Sequence, residues 1–168
     1  MELWDLYNAD GIKTGNVIER DNSIEEGYYH LAVEVWIVNS NFQVLIQKRS
    51  ENKKTLPNIW GMTTGCIVSG EESLDGAIRE AKEEIGIDIS KDEIKIFRSM
   101  IHGDTLWDVY LVKKEYDVSN AILQKEEVSD IKWVSTGEIR QLLKKGLFFE
   151  YPEIYDLLSD IDNNDLNI

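Results

Sequence analysis

Residues Gly65 to Ile87 read GCIVSGEESLDGAIREAKEEIGI, and the fold is decided in this stretch. Ser73 is a suitable N-cap, because its hydroxyl can accept from a free backbone N–H of the first turn. Leu74, Ala77, Ile78, Ala81 and Ile85 recur at helical spacing and form one apolar stripe. Gly86 suits the residue after the helix, where a positive φ is needed. The spacing therefore predicts a helix from Leu74 to Ile85. Glu80, Glu83 and Glu84 stand at i, i+3 and i+4 and share one helix face. At roughly 100° per residue, that face lies about 120° from the centre of the apolar stripe, so all three are expected off the core. Three crowded carboxylates repel one another, and a divalent cation between them removes the cost. Hard oxygen ligands suit Mg²⁺, with Mn²⁺ as an alternative. A solvated acidic helix face is the other reading of such a charge run.

The segment also fits, at every fixed position, the pattern G-x5-E-x7-R-E-U-x-E-E-x-G-U, with U apolar. The fixed positions are Gly65, Glu71, Arg79, Glu80, Ala81, Glu83, Glu84, Gly86 and Ile87. In this the chain resembles the Nudix superfamily. The resemblance implies an α/β/α sandwich with a mixed β-sheet between helices. It also implies metal-dependent hydrolysis of a diphosphate linked to another group. By the same resemblance Arg79 orients carboxylates by salt bridging, and Glu71 supports the metal site by tying the loop to the helix. Glu80, Glu83, Glu84 and the backbone of Gly65 are the expected metal site, Gly65 because the absence of a side chain allows close approach.

Composition limits the partners. The formal charge is −14, from 32 acidic and 18 basic side chains. That excludes the basic footprint of a duplex nucleic acid partner and disfavours an anionic membrane surface. A phosphorylated small molecule is repelled at long range, so metal ions and a local basic patch must draw it in. Cys66 is the only cysteine, so no intrachain disulfide forms, which agrees with a reducing cytoplasm. The N-terminus has no basic, then apolar, leader pattern, and no apolar window of about 18 residues offers a transmembrane helix. The length suits one domain with a real core, as a monomer or homodimer.

Along the chain, Glu2–Tyr7 and Gly15–Arg20 read as a hairpin around Asn8-Ala9-Asp10-Gly11. HLAVEVWIV, His30–Val38, is dense in β-branched and aromatic residues and reads as a buried strand, with Phe42–Lys48 as its return. Ile59–Thr64 leads into the decisive segment. Glu93–His102 and Leu106–Lys113 form two strands around Gly103-Asp104, and Ile131–Val134 a short late one. Thr136 caps a helix over Gly137–Lys144, and Tyr151–Leu158 forms a last helix. Residues 1–158 are thus expected to be one domain with an N-terminal hairpin, and residues 159–168 an acidic tail that frays.

Arg49, Lys53 and Lys54 form a basic cluster in an acidic chain, suited to a diphosphate or simply to solubility. The stretch HLAVEVWIVNSNFQVLIQKRSENKKTLPNIW, with the hairpin WDLYNADGIKTG, resembles the isopentenyl-diphosphate isomerase branch of the superfamily. In that branch, side chains matching Arg49 and Lys53 hold the substrate diphosphate. The isomerase chemistry does not carry over. Thr64 occupies the place of the isomerase cysteine, Cys66 that of a metal-binding histidine, and Gly103 and Thr105 those of the paired glutamates. His30 alone matches, and its milder reading is a buried histidine making a hydrogen bond. Cys66 reads as a small buried hydrophobe rather than a nucleophile. Trp36, Trp60 and Trp107 read as core, with Trp60 as the candidate pocket wall. Many Nudix enzymes carry an extra glutamate before the late strand, and Glu127 is the candidate here, as metal ligand or base.

These readings converge on Mg²⁺-dependent hydrolysis of a nucleoside di- or triphosphate or a nucleoside diphosphate derivative. Glu83, Glu84, Glu127 and Arg79 form the catalytic set, and Arg49, Lys53 and Trp60 bind substrate. Isopentenyl-diphosphate isomerisation and a non-catalytic nucleotide sensor are the alternatives.

Overall fold

The strand His30–Val38 is buried at every residue, so it must be covered on both faces. The computed structural model, which describes residues 1–166, places it at the centre of a mixed sheet. In chain order the strands are β1 (Leu3–Tyr7), β2 (Lys13–Glu19), β3 (His30–Val38), β4 (Val44–Arg49), β5 (Trp60–Gly61), β6 (Thr63–Cys66), β7 (Ile94–His102), β8 (Thr105–Lys113) and β9 (Val128–Val134). The helices are α1 (Ser73–Ile85), α2 (Thr136–Lys144) and α3 (Ile154–Asp162). The main sheet runs β5-β4-β3-β8-β7, with β6 paired to β3 and β9 to β4. β3 and β8 are parallel, from His30 opposite Thr105 to Val38 opposite Lys113. β1 and β2 form a separate hairpin, joined to the body by a bridge between Tyr7 and Tyr29.

Alternation along β3 divides the core in two. Val33, Val35 and Ile37 face α1, meeting Ala77, Ala81 and Ile85. Trp36 and Val38 face the other way, into a cluster with Ile139 of α2 and Leu157, Leu158 and Ile161 of α3. Helices therefore cover both faces, as an α/β/α sandwich requires. Burying each of these large side chains contributes about 1.5–3 kcal/mol.

Several boundaries differ from expectation, each for a local reason. Glu72, not Ser73, is the N-cap of α1 and makes no side-chain cap bond. The Ser73 hydroxyl is taken by Asp108 at 2.6 Å and Tyr110 at 2.7 Å on β8. Gly86 does end the helix, at φ 74°. Leu74 and Ile78 are only partly buried, so the stripe narrows to Ala77, Ala81 and Ile85. Ser135, not Thr136, caps α2, in a reciprocal capping box with Glu138. The tail does not fray at Ser159. α3 continues to Asp162, and Ile161 and Leu166 are buried, because the acidic segment still carries apolar residues at helical spacing. The rest of that expectation, on Asn167 and Ile168, lies outside the described residues. Among the described residues no helix is long and apolar enough to cross a membrane.

One carboxylate sits inside the core. Glu34 of β3 is 1% exposed and accepts hydrogen bonds from the Trp36 indole N–H at 2.6 Å and from the Tyr151 hydroxyl. Burial pushes its carboxyl up to about 7, against these bonds. A folded-state pKa above the unfolded one means the folded chain holds the proton more tightly. This contribution to stability is fully present below the unfolded pKa and is lost as pH rises through about 7. The melting temperature (Tm) should therefore fall between pH 5 and pH 8, and fall less in Glu34→Gln, which keeps an acceptor for Tyr151. An identical decline in the two proteins would show that Glu34 does not titrate in this range.

Candidate active site

Gly65 of β6 has no side chain, and the space alongside it is filled by Glu80. A Cβ built on Gly65 would lie 2.0 Å from the Glu80 carboxyl carbon. This close contact between β6 and α1 forms the floor of a cavity of about 380 Å³. Glu80, Glu83 and Glu84 line it from α1, Arg49 from the end of β4, Lys53 from the following loop and Glu127 from the loop before β9. Residues scattered over the sequence thus meet in one place. Trp60 lines an adjoining pocket of about 200 Å³, which shares Arg49, Glu84 and Glu127 with the first.

Arg79 organises the carboxylates. Glu71 receives its guanidinium as a fork, from Nε at 2.7 Å and Nη2 at 3.0 Å. Nη1 then reaches Glu80 at 2.7 Å and Glu83 at 3.1 Å, and Nη2 reaches the Cys66 carbonyl at 3.3 Å. The hydrogen bonds to Glu71 raise the Arg79 pKa, so it stays charged. Such a fork fixes a cation in one plane, which a lysine does not do. Glu71 also accepts from the backbone N–H of Val68 at 3.3 Å, tying the loop to α1.

The three helix glutamates are not equivalent. The side chain of Glu83 is 50% exposed, and that of Glu80 is 13% exposed. Glu84 is 7% exposed, contrary to its expected place off the core. It lies beneath β4 and accepts a hydrogen bond from the Gln47 side chain, whose own oxygen accepts from Thr63 at 2.7 Å. Burial pushes the Glu84 carboxyl up to about 8, opposed by the Gln47 bond and reinforced by the charges of Glu80 and Glu127. Burial raises Glu80 too, and Arg79 opposes it. Among the described residues Glu84 has no ion-pair partner, while Lys53 pairs with Glu127 across the cavity.

The donor set fits a hard divalent cation. Its oxygens are carboxylate, and the buried Glu84 carboxyl is ionised at neutral pH only if a positive charge compensates it. As the side chains stand, no three His, Cys, Asp or Glu among the described residues converge on one ligating point, because Glu80 and Glu83 are turned to Arg79.

Other expectations resolve individually. His30 is buried and its Nε2 lies 2.8 Å from the Thr105 hydroxyl, as the milder reading requires. Burial raises the Cys66 thiol to about 11, which suits an unreactive side chain. Trp36 is core, but Trp107 lines both pockets with its partly exposed ring. Gln47 was missed, although a polar residue in VLIQKR was a signal. Phe149 of the second pocket carried none. It reaches the site because its backbone N–H bonds to the Trp60 carbonyl at 2.8 Å.

Comparison with known proteins agrees with this geometry. The model of the NUDIX domain matches residues 28–158. The chain belongs to the Nudix family. An uncharacterised Nudix hydrolase of Listeria monocytogenes is 36% identical over 90% of this chain and 90% of its own. An isopentenyl-diphosphate Delta-isomerase of Escherichia coli is 32% identical, over 80% of this Nudix chain and 77% of its own. The crystal structure of DR0079 from Deinococcus radiodurans superposes with a TM-score of 0.75 at 22% identity, over 96% of this chain and 98% of that one, which establishes the shared fold. Nudix hydrolases in general use divalent metal ions.

Proposed function

We propose that this Nudix protein hydrolyses a nucleoside di- or triphosphate, or a nucleoside diphosphate derivative, with Mg²⁺ at Glu80, Glu83 and Glu84. The observation that carries the reading is one cavity that Glu80, Glu83, Glu84 and Glu127 border, with Arg49 and Lys53 at its side. The carboxylates account for a metal and the basic pair for a diphosphate. When bound, the cation supplies Lewis acidity and neutralises charge on the leaving phosphate. Arg79 holds Glu80 and Glu83 in place and does not touch substrate. Arg49 and Lys53 grip the diphosphate oxygens. Lys53 is released from Glu127 as it does so, which leaves Glu127 able to accept a proton from the attacking water. Glu84, buried at the same cavity and bonded to Gln47, is the other candidate base. Trp60 and its neighbours in the second pocket contact the group beyond the diphosphate.

The isomerase reading finds no support in this chain's own side chains. Thr64 lines the cavity where a thiol would be needed, and the Cys66 thiol is held protonated by burial. A sensor without turnover has no use for so complete a carboxylate set.

A phosphate-release screen over nucleotides, nucleotide sugars, dinucleoside polyphosphates and coenzymes, run with Mg²⁺, tests the reading. At least one class should be turned over, and inertness towards all of them would count against a hydrolase. On the substrate so found, Arg49→Ala should raise KM by roughly 10- to 100-fold with kcat little changed, the loss of a charge-assisted hydrogen bond of ~1.5–3 kcal/mol. Unchanged KM in both Arg49→Ala and Lys53→Ala would make this loop a solubilising one.

A further inference from the structure

The cavity has a second basic rim. Arg20, at the end of β2, lines it together with Glu2 and His30. The hairpin is closed by Arg20 N–H to the Glu2 carbonyl at 2.9 Å and fastened to the body by Ser69 N–H to the Leu3 carbonyl at 2.7 Å. It is fastened by side chains as well. The Trp4 ring, 8% exposed, stacks on His30 with centroids 4.1 Å apart and planes 12° apart. The Arg20 guanidinium lies over that Trp4 ring, 5.8 Å from its centroid. A stack of Arg20, Trp4 and His30 therefore builds this wall. Gly65 and Cys66 line the same cavity as Arg20. Arg49 stands on another rim, at the end of β4, bonded to Thr55 at 3.1 Å.

The present partner of Arg20 is weak. Its pair with Glu2 spans 3.3 Å, with side chains 50% and 35% exposed. Such a pair contributes little and exchanges readily. A guanidinium fork can bind phosphate oxygens bidentately. The remaining guanidinium of the cavity, Arg79, is committed to Glu71, Glu80 and Glu83.

We propose that Arg20 is a further substrate-binding side chain, which takes the phosphate of a polyphosphate chain that Arg49 and Lys53 do not reach. The hairpin thereby fits the cavity to a chain of three phosphates rather than two. This rests on the diphosphate-hydrolase reading above, and extends it to the length of the phosphate chain.

The test is equilibrium binding of inorganic pyrophosphate and tripolyphosphate, each with Mg²⁺, to the full chain. Arg20→Ala should weaken tripolyphosphate about tenfold and pyrophosphate by less than about threefold, whereas Arg49→Ala should weaken both. Arg20→Lys keeps the charge without the planar stack on Trp4. It should recover part of the tripolyphosphate binding, which separates lost charge from a loosened hairpin. Equal or absent losses on the two probes in Arg20→Ala, beside a loss in Arg49→Ala, would overturn the role of Arg20 and leave the hydrolase reading intact. No recovery in Arg20→Lys would overturn it as well. Failure of the wild-type chain to bind either probe would remove the hydrolase reading and this proposal with it.

Discussion

Glu84→Gln is expected to lower kcat by at least ~100-fold while the metal-free protein keeps or raises its Tm. The two halves of the result come from one environment. Glu84 is almost fully buried and lacks a cationic partner among the described residues, so its charge is costly without metal. Glutamine removes that charge and can still bond to the Gln47 side chain. At pH 8 the relief should raise Tm by about 5 °C, on the scale of 1–2 kcal/mol in a domain of this size. At pH 5, where the buried carboxyl is already protonated, the gain should nearly vanish. Catalysis moves the other way, because loss of an acid–base or electrostatic group typically costs ~10²–10⁴ in rate. The stabilisation that Mg²⁺ adds should shrink in the variant. Wild-type kcat in Glu84→Gln would show that the buried face of α1 is not the catalytic one.

Gly65→Ala should cut turnover about 100-fold with little change in Tm. The added methyl would meet the Glu80 carboxyl carbon at 2.0 Å, so one of them must move. Glu80 is the flexible partner and swings away at small cost to the fold. In doing so it leaves Arg79 and the cavity floor, and a displacement of about 1 Å near reacting groups can cost ~10²-fold. The same substitution at Gly76 has a different outcome, since its new methyl would meet Ile67 at 2.2 Å inside the apolar cluster. There stability, rather than rate, should suffer. A Gly65→Ala enzyme with full activity would mean that Glu80 is not needed where it stands.

Much of this was legible before any coordinates. α1 and its glycine stop were readable because periodicity and a positive-φ position are local signals. The buried strand β3 was readable from its unbroken apolar run. Arg79, Glu80, Glu83, Glu84, Gly65, Arg49, Lys53, Trp60 and Glu127 line two joined pockets. Depth was not legible. An i, i+3, i+4 pattern tells which residues share a face, but not that β4 lies over Glu84 with Gln47 waiting there. Nor do propensities predict that Asp108 and Tyr110 take Ser73 away from its cap. Arg20 and Phe149 reach the cavity through tertiary contacts of the hairpin and of the segment before α3, and such contacts leave no periodicity to read. The tail differs for the opposite reason: its charge predicts fraying, yet Ile161 and Leu166 are buried in the core.

The most direct test of the central claim is turnover of the best substrate from the phosphate-release screen, measured in EDTA and again after Mg²⁺ is restored. Clustered carboxylates in a chain of net charge −14 cannot act on an anionic diphosphate unaided. Turnover should vanish in the chelator and return with Mg²⁺ or Mn²⁺. Full turnover in EDTA would contradict the account.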